Sequence, residues 1–555
     1  MRSYGVTKLG RAAGGLAVAL ALTATHPVSF AAEAPVVEAP AGTVQGIESG
    51  DLRIFKGLPY ALPPIGDARW RPPRPMPAWG GVRDAASFGP ACFQPGSAGK
   101  SIYHDELPAM SEDCLTLNIW TPKDAEHAPV FVWIHGGALT NGASSEAMYD
   151  GAKLAEEGMV VVSINYRLGV LGYLAHPALS AESPRHVSGN YGLLDQIAAL
   201  KWVKANIAAF GGNADNVTIA GESAGALSVM YLMASPLARG LFDKAIAESA
   251  YMVSTPELRG KRFGMESAEA SGAALMNKLG AGNSLAAMRK MDAATLVKQA
   301  PATGYLPWGT IDGYVLTRQL VDTFDRGEQA PVPLIAGFNS GEIRSLRILL
   351  PPRPDSAEAY RKRIRAGYGE LADTFLKFYP ADDVDESMLA ATRDAMYGWT
   401  AERLVRKQTA IGAPSYLYLF DHGYPAADEM GLHGFHASEL PYVFGTADRT
   451  PPLWPKVPDD PVERNLSEAM RDYWSSFARS GDPSAAGQPN WPSFGHDEAY
   501  MYFAQAPQAA TRPLPGRYRL HEEVMCRRHA AGDIAWNWNV GIASPPLPPE
   551  APECQ

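Results

Sequence analysis

The chain has 555 residues, a mass of 59.6 kDa, a formal charge of −10 and a pI near 5.7. Apolar residues make up 46% and charged residues 19%, a composition that indicates a folded globular chain and excludes a disordered or fibrous one. The acidic balance argues against nucleic-acid binding, because phosphate contacts need a basic surface. Four cysteines are too few for a disulfide-built miniprotein, and a chain of this length buries a large core without them.

Residues 1–31 are predicted to be a secretory signal peptide. Three basic residues stand near the start, and residues 12–24 form an apolar stretch shorter than the roughly 20 residues that a membrane-spanning helix needs. Small residues precede a cleavage point that we expect after Ala31; the alternative is an uncleaved membrane anchor. We therefore predict a secreted or periplasmic protein, without stable membrane insertion, whose remainder, 32–555, is a single domain.

Export would place the four cysteines in an oxidising compartment, where they can form two disulfides. The sequence alone allows three pairings. The local pairing joins Cys92 to Cys114 and Cys526 to Cys554 and closes two short loops. Free buried thiols are the alternative.

Short apolar segments alternate with helical patterns through the first half of the chain. Predicted strands at 130–134, 159–165 and 217–220 are apolar throughout, which is typical of a mainly parallel sheet covered on both faces. Predicted helices span 149–158, 191–210, 224–234, 267–279, 357–366 and 461–480, and later strands span 331–336 and 415–420. The chain ends in a Pro-rich tail at about 530–555, within which residues 545–553 are predicted to be extended.

The pentapeptide Gly-Glu-Ser-Ala-Gly at 221–225 fits the Gly-x-Ser-x-Gly turn, which raises a nucleophilic serine between a strand and a helix. The glycines are needed because the strand and the helix approach each other too closely for side chains. The pattern alone also occurs by chance in surface turns, but here a predicted strand precedes it and a helical run follows it. Ser223 is therefore predicted to be a nucleophile at a helix start, where backbone N–H groups face its oxygen.

The segment His-Gly-Gly-Ala at 135–138 follows the first predicted strand and matches the motif that supplies oxyanion donors. We expect the backbone N–H groups of Gly137, Ala138 and Ala224 to hold the negative charge that develops on a substrate carbonyl oxygen. A tight turn without this role is the alternative for the 135–138 segment taken by itself.

With these motifs in place, the sequence resembles the type-B carboxylesterase family along nearly the whole chain after the signal peptide. The blocks that carry the resemblance lie at 55–61, 69–73, 112–118, 190–196 and 210–212. The resemblance implies the α/β-hydrolase fold, with a large, mostly parallel central sheet, helices on both faces, and long inserted loops and helices that form an active-site gorge. It also favours the pairing of Cys92 with Cys114, because the family's cysteine in the 112–118 block pairs with an upstream one.

The resemblance further implies the partners of the nucleophile. The family's acid is a glutamate five residues after a glycine that follows a late strand, and Glu342 fits this position. Gly341 and Ile343 depart from the Asp and Gly that usually flank it, so a solvated loop carboxylate is the alternative. The family's histidine stands three residues before a glutamate that leads into an aromatic-Val-Phe-Gly stretch, which selects His436 over His433.

These residues predict a serine hydrolase that cleaves small-molecule carboxylic esters through a Ser-His-Glu triad and an acyl-enzyme intermediate. We expect no metal and no organic cofactor, because the sequence holds no HExxH, P-loop or dinucleotide-binding motif. Hydrolysis of lipid, amide or thioester bonds is the alternative, and a non-catalytic binding relative is a further one. The sequence leaves the oligomeric state open.

Two arginines close to Glu342, Arg344 and Arg347, are candidate substrate-binding residues, as is Glu222 beside the nucleophile. A guanidinium near the gorge would bind an acid-bearing ester through paired hydrogen bonds. Surface arginines that are solvated or ion-paired are the alternative.

Overall fold

The apolar segments of the sequence become strands of one large mixed sheet in the computed structural model, which describes residues 34–96 and 101–554. The predicted signal peptide, 1–31, lies outside the described residues. The described residues from Pro35 onward fall into one compact unit. No helix among them is both long and apolar enough to cross a bilayer.

The strands are β1 (Val36–Ala39), β2 (Gly42–Gln45), β3 (Ile47–Ser49), β4 (Leu52–Pro59), β5 (Val82–Asp84), β6 (Ala91–Cys92), β7 (Met110–Ser111), β8 (Thr116–Pro122), β9 (Ala128–Ile134), β10 (Val160–Ile164), β11 (Gly212–Glu222), β12 (Lys244–Glu248), β13 (Leu334–Asn339), β14 (Ser415–Phe420), β15 (Ala499–Phe503) and β16 (Pro507–Thr511).

The α-helices are α1 (Ala152–Glu156), α2 (Gly169–Tyr173), α3 (Pro177–Glu182), α4 (Tyr191–Asn206), α5 (Ala224–Ala234), α6 (Ala268–Lys278), α7 (Leu285–Lys290), α8 (Ala293–Gln299), α9 (Leu320–Asp325), α10 (Glu342–Ser345), α11 (Ala357–Tyr368), α12 (Ala372–Phe378), α13 (Val384–Arg393), α14 (Trp399–Ala410), α15 (Pro425–Glu429), α16 (Leu440–Phe444), α17 (Pro461–Ser480) and α18 (Arg517–Ala531). A π-helical turn, Asp394–Gly398, joins α13 to α14.

Within the described residues, eleven strands form the main sheet in the order β16-β15-β14-β13-β12-β11-β9-β10-β8-β4-β3. The block from β15 to β10 is parallel, while β16 at one edge and β8, β4 and β3 at the other are antiparallel. The mostly parallel central sheet that the sequence predicts is therefore confirmed. Two smaller sheets, β1-β2-β5 and β6-β7, lie outside it.

Both faces of the sheet are buried, which explains why its central strands are apolar throughout rather than alternating. In β9, Val130 and Val132 pack into one core cluster, whereas Phe131 and Trp133 pack into the other. Helices α4, α5 and α14 contribute to the first cluster, and α1, α16 and α17 contribute to the second. Helices thus cover both faces of the sheet, as predicted.

Most predicted elements occur where the sequence places them. Helices α5 and α17 have the predicted limits, and the predicted helix 191–210 is α4 followed by a 3₁₀ turn. The single helix predicted over 149–158 is wrong. A 3₁₀ turn ends at Tyr149, the backbone of Asp150 is extended at φ −60° and ψ 116°, and α1 starts as a separate short helix at Ala152.

Candidate active site

Ser223 stands at the junction between β11 and α5, at the carboxyl edge of the parallel strands. Its backbone has φ 55° and ψ −119°, a conformation that L residues rarely adopt. A Cβ on Gly225 would lie 2.0 Å from the carbonyl oxygen of Ile134, and one on Gly221 would lie 2.6 Å from the backbone of Gly225. The glycines of the predicted turn are therefore required by close backbone approach, and the strained turn holds the serine hydroxyl above the sheet.

The loop after β9 approaches the serine from the neighbouring strand. A Cβ on Gly136 would lie 2.9 Å from the carbonyl oxygen of Glu222, so only glycine fits there. Gly137 and Ala138 both have positive φ, at 97° and 56°. Among the described residues, no hydrogen bond is donated by the N–H groups of Gly137, Ala138 or Ala224. The three predicted oxyanion donors are thus left free to bind an oxygen of a substrate.

Glu342 and His436 form a hydrogen bond between a carboxylate oxygen, Oε2, and the ring atom Nδ1. Glu342 begins α10 just after β13 and is fully buried, and its second oxygen, Oε1, accepts the N–H of Asn339 at 2.8 Å. The carboxylate is therefore fixed at both oxygens. Of the two candidate histidines, the structure brings His436 to Glu342.

The other candidate, His433, lies outside this arrangement. Its two ring nitrogens lie 2.9 Å from Asp428 and 3.1 Å from Asp421, and its side chain is 44% exposed. The two carboxylates raise the pKa of His433 to about 9 against the opposing effect of partial burial. His433 thus fixes the loop that leads to His436, three residues further along the chain.

Asn339 joins the glutamate to the histidine loop, a role that the sequence did not reveal. Its side-chain amide donates to the carbonyl oxygen of Phe435 at 2.8 Å and to the carboxylate of Glu439. Its own N–H meets Glu342. One residue therefore connects the segments on both sides of His436 with the acid that binds its ring. Its place in the Gly-Phe-Asn-Ser-Gly-Glu segment was the available signal.

The second ring nitrogen of His436 faces another carboxylate. His436 Nε2 lies 3.0 Å from Glu222 Oε1, and among the described residues no hydrogen bond joins the ring to the Ser223 hydroxyl. Burial disfavours the charged ring, but the charges of Glu222 and Glu342 outweigh it and raise the pKa of His436 to about 9. For Glu222, burial has the opposite effect and raises the pKa of the carboxyl to about 7, although the charge on His436 opposes this shift. Both shifts favour the form of each group that carries a proton.

Two further carboxyl groups lie buried beside the site, Glu248 and Glu439. Burial raises the pKa of Glu248 to about 8 despite a 2.8 Å hydrogen bond from the indole of Trp474. Burial also raises the pKa of Glu439 well above its usual value, helped by the charges of Glu222 and Glu248. Both shifts favour the neutral, proton-bearing form of these two carboxyl groups.

The cavity in front of Ser223 has a volume of about 870 Å³. Its wall is rich in aromatic and aliphatic side chains, which include Tyr103, Tyr149, Tyr251, Trp308, Met396, Tyr397 and Trp538. Leu306 and Ile348 at its edge are 67% and 92% exposed. The π-helical turn before α14 carries Tyr397, whose ring centre lies 5.2 Å from that of His436. Such a wall suits an apolar ligand.

The loop closed by one disulfide contributes directly to this wall. Cys92 is bonded to Cys114, and Cys526 to Cys554, which is the local pairing. The amide of Gln94 exchanges hydrogen bonds of 2.9 Å with the N–H and the carbonyl oxygen of Gly142, and so fastens the first loop to the predicted oxyanion segment, residues 135–142. In the same loop, the hydroxyl of Tyr103 lies 2.9 Å from the carbonyl oxygen of His436.

The candidate substrate-binding residues differ in their placement. Glu222 lines the cavity, whereas Arg344 forms an ion pair with Glu386 at 2.8 Å. Arg347 is exposed and stands between Leu346 and Ile348, both of which line the cavity. Within residues 34–96 and 101–554, no group of three or more His, Cys, Asp or Glu side chains is arranged to hold a metal ion.

Comparisons with known proteins agree with this fold. The model of the carboxylesterase family matches residues 33–520. The chain is 37% identical to the fumonisin B1 esterase of Sphingopyxis macrogoltabida over 89% of this chain and 92% of that one. It is 36% identical to the para-nitrobenzyl esterase of Bacillus subtilis over 83% and 93% of the two chains.

Solved structures show the same similarity in three dimensions. A PNB esterase structure superposes with a TM-score of 0.76 at 33% identity, covering 87% of this chain and 99% of the other. A carboxylesterase of Geobacillus stearothermophilus gives a TM-score of 0.72, also at 33% identity and the same coverage. These matches extend over nearly the whole chain and include the sheet and the loops that carry the site. The chain therefore belongs to the type-B carboxylesterase family, has the α/β-hydrolase fold and is a carboxylic-ester hydrolase.

Proposed function

We propose that the chain hydrolyses carboxylic esters through Ser223, His436 and Glu342, with an acyl-enzyme intermediate. The observation that carries the proposal is the hydrogen bond between Glu342 and the Nδ1 side of His436, beside a serine held in a strained turn above the same cavity. This bond fixes the Nδ1 side of the ring, and the proposal requires that Nε2, which lies 3.0 Å from Glu222, turns to Ser223 when an ester binds.

The proposed mechanism uses the groups in the following order. His436 in its neutral form takes the proton of Ser223, and the serine oxygen attacks the ester carbonyl carbon. The N–H groups at 137, 138 and 224 bind the resulting oxyanion. Glu342 stabilises the imidazolium, which then gives its proton to the departing alcohol. Water, activated by the same ring, releases the acid and restores the serine.

Paired variants test the triad. We expect Ser223→Ala and His436→Ala to lower kcat for p-nitrophenyl acetate by about 10⁴-fold or more. His433→Ala is the matched control and should cost far less, because its ring binds two carboxylates outside the cavity. Equal losses for the two histidine variants, or a Ser223→Ala variant of normal activity, would contradict the proposed triad.

We propose that the preferred esters are neutral and apolar, because the described wall of the cavity is rich in aromatic and aliphatic side chains. Hydrolysis of lipid, amide or thioester bonds uses the same triad and is the alternative. A panel of p-nitrophenyl esters, anilides and thioesters of matched acyl chains would rank these bonds by kcat/KM. A higher kcat/KM for the anilide than for the ester would favour an amidase.

A preference for acid-bearing esters is the alternative to a preference for neutral ones, and it depends on Arg347. The exposed guanidinium of Arg347 stands beside Ile348 at the cavity edge, where it would bind a carboxylate carried by the ester. The test compares kcat/KM for the mono-p-nitrophenyl ester of glutaric acid with that for p-nitrophenyl valerate. Arg347→Ala should lower the first selectively, whereas Arg344→Ala, which breaks the ion pair with Glu386, should not. Equal effects of both variants would exclude the preference.

We also propose that the enzyme is exported. The basic and apolar pattern of residues 1–31 supports this, as do the two disulfides, which are typical of oxidising compartments. The mass of the protein recovered from its producing cells tests the proposal. A mature chain should begin at Ala32, and an intact Met1 on the active protein would contradict cleavage after Ala31.

A further inference from the structure

The chain continues past α18 into a C-terminal strap, residues 533–554, that returns to the cavity. Trp536 is 1% exposed and packs near Trp399, with ring centres 6.2 Å apart. The side-chain amide of Asn537 donates to the carbonyl oxygen of Met252. These two buried side chains hold the strap against the helices that surround the cavity.

The backbone of the strap is also held by α18. The guanidinium of Arg528, in α18, is buried and donates to the carbonyl oxygens of Trp538 at 3.0 Å and Asn539 at 3.3 Å. The disulfide between Cys526 and Cys554 closes the strap onto α18, with 5.7 Å between the two Cα atoms. Trp538 is therefore held in place by anchors on both sides of it.

Trp538 ends a continuous row of aromatic rings that begins at the histidine. Ring centres lie 5.2 Å apart between His436 and Tyr397, 6.1 Å between Tyr397 and Tyr251, 6.5 Å between Tyr251 and Trp308, and 5.8 Å between Trp308 and Trp538. Every member of the row lines the cavity. The half-buried indole of Trp538 thus forms wall surface four ring contacts away from His436.

The strap lies beyond residue 520, where the match to the family model ends. The wall residue that it carries is therefore placed by a segment outside the part of the chain that the family model describes. We propose that Trp538 is a specificity-determining residue, which binds the part of an ester that extends farthest from Ser223 and so favours esters with a long or aromatic group. This inference rests on the proposed function.

Trp538→Ala tests the inference through ratios of kcat/KM. One series compares p-nitrophenyl decanoate with p-nitrophenyl acetate, and the other compares 2-naphthyl acetate with phenyl acetate, so that both sides of the ester bond are extended. We expect the ratio of large to small ester to fall about tenfold in at least one series, because an indole no longer covers the extended group. Trp538→Phe, which keeps an aromatic ring, should restore much of the ratio.

Trp79→Ala is the matched control, since Trp79 is a half-buried tryptophan that bonds to the carbonyl oxygen of Thr43 away from the cavity. Its ratios should equal those of the unchanged protein. Unchanged or increased ratios in both series for Trp538→Ala would overturn the inference, while activity that depends on Ser223 would still support the proposed function. A protein that hydrolyses none of the four esters would instead refute the proposed function.

Discussion

Glu222 contacts the ring that accepts the serine proton in the proposed mechanism. Its Oε1 lies 3.0 Å from His436 Nε2, and its negative charge is a main reason why the pKa of His436 is raised to about 9. A protonated ring cannot act as a base, so kcat/KM should rise with pH as His436 loses its proton. Glu222 belongs to the serine motif itself and precedes Ser223 directly in the chain.

Replacing this carboxylate should move the pH profile in a defined direction. In Glu222→Gln the imidazolium loses a negative neighbour, so its pKa falls and the acidic limb of kcat/KM shifts to lower pH, by about one unit. The measurement is kcat/KM for p-nitrophenyl acetate between pH 5 and 10. Glu248→Gln is the control, because that buried carboxyl bonds to the indole of Trp474 rather than to the His436 ring. If the acidic limb of kcat/KM keeps its position in Glu222→Gln, the charge of Glu222 does not affect the pKa of His436.

The glutamate loop and the histidine loop form one element pair, and Gly341 is where they touch. Its N–H donates to the carbonyl oxygen of Gly434 at 2.7 Å, and an added Cβ would lie 2.6 Å from the carbonyl oxygen of Leu432. The sequence marks Gly341 as a departure from the Asp usual in the family. The structure explains this departure physically, since the histidine loop passes too close to Gly341 for any side chain at that position.

Restoring the usual residue should therefore harm this protein. We expect Gly341→Asp to destabilise it by about 1–3 kcal/mol, the scale of an overpacked site, and to lower kcat because Glu342 and His436 are displaced from each other. Urea unfolding and kcat for p-nitrophenyl acetate measure the two effects. Gly412→Asp, at a glycine whose Cβ would meet nothing within 4 Å, controls for the added charge, although its φ of 80° carries some strain of its own. Normal stability and activity in Gly341→Asp would mean that the loops separate easily.

His433 makes a second contact of the same loop, between Asp421 after β14 and Asp428 in α15. Because its folded-state pKa is raised to about 9, its stabilisation is fully present below the unfolded value of about 6.5 and is lost as pH rises through 9. We expect His433→Gln to cost about 0.5 kcal/mol at pH 6, since the ring is partly solvated, and almost nothing at pH 10. Urea unfolding of both proteins at the two pH values measures this difference; a gap that is the same at both would refute a charge effect.

The elements and the serine turn could be predicted because each depends on local pattern. The apolar strand β9, the glycines around Ser223 and the spacing after His436 are all visible within a few residues of sequence. The contacts of Asn339 and Glu248 could not be predicted, because they join segments about 100 residues or more apart, such as Asn339 with Glu439 and Glu248 with Trp474. Trp538 was missed for the same reason, since only the path of the strap brings it to the cavity.

At the scale of the whole molecule, the two disulfides close loops of similar length for different purposes. The Cys92–Cys114 bond spans 22 residues and holds the loop of Gln94 and Tyr103 against the oxyanion segment and His436. The Cys526–Cys554 bond spans 28 residues and holds the strap at the far end of the cavity. Cys92 and Cys114 are themselves buried in the first core cluster, whereas Cys526 is partly buried and packs against it.

Removing each disulfide should therefore cost similar stability but different activities. The loop lengths imply a loss of about 3 kcal/mol for either double Cys→Ser variant, as an upper value. Without Cys92 and Cys114, we expect kcat for p-nitrophenyl acetate to fall together with stability, because Gln94 no longer holds the predicted oxyanion segment. Without Cys526 and Cys554, the same ester should be hydrolysed nearly as before, while limited proteolysis cuts the strap sooner. Both variants are compared by urea unfolding, by kcat for p-nitrophenyl acetate and by the rate of strap cleavage. An equal loss of kcat in the two variants would show that the strap also supports the reacting groups.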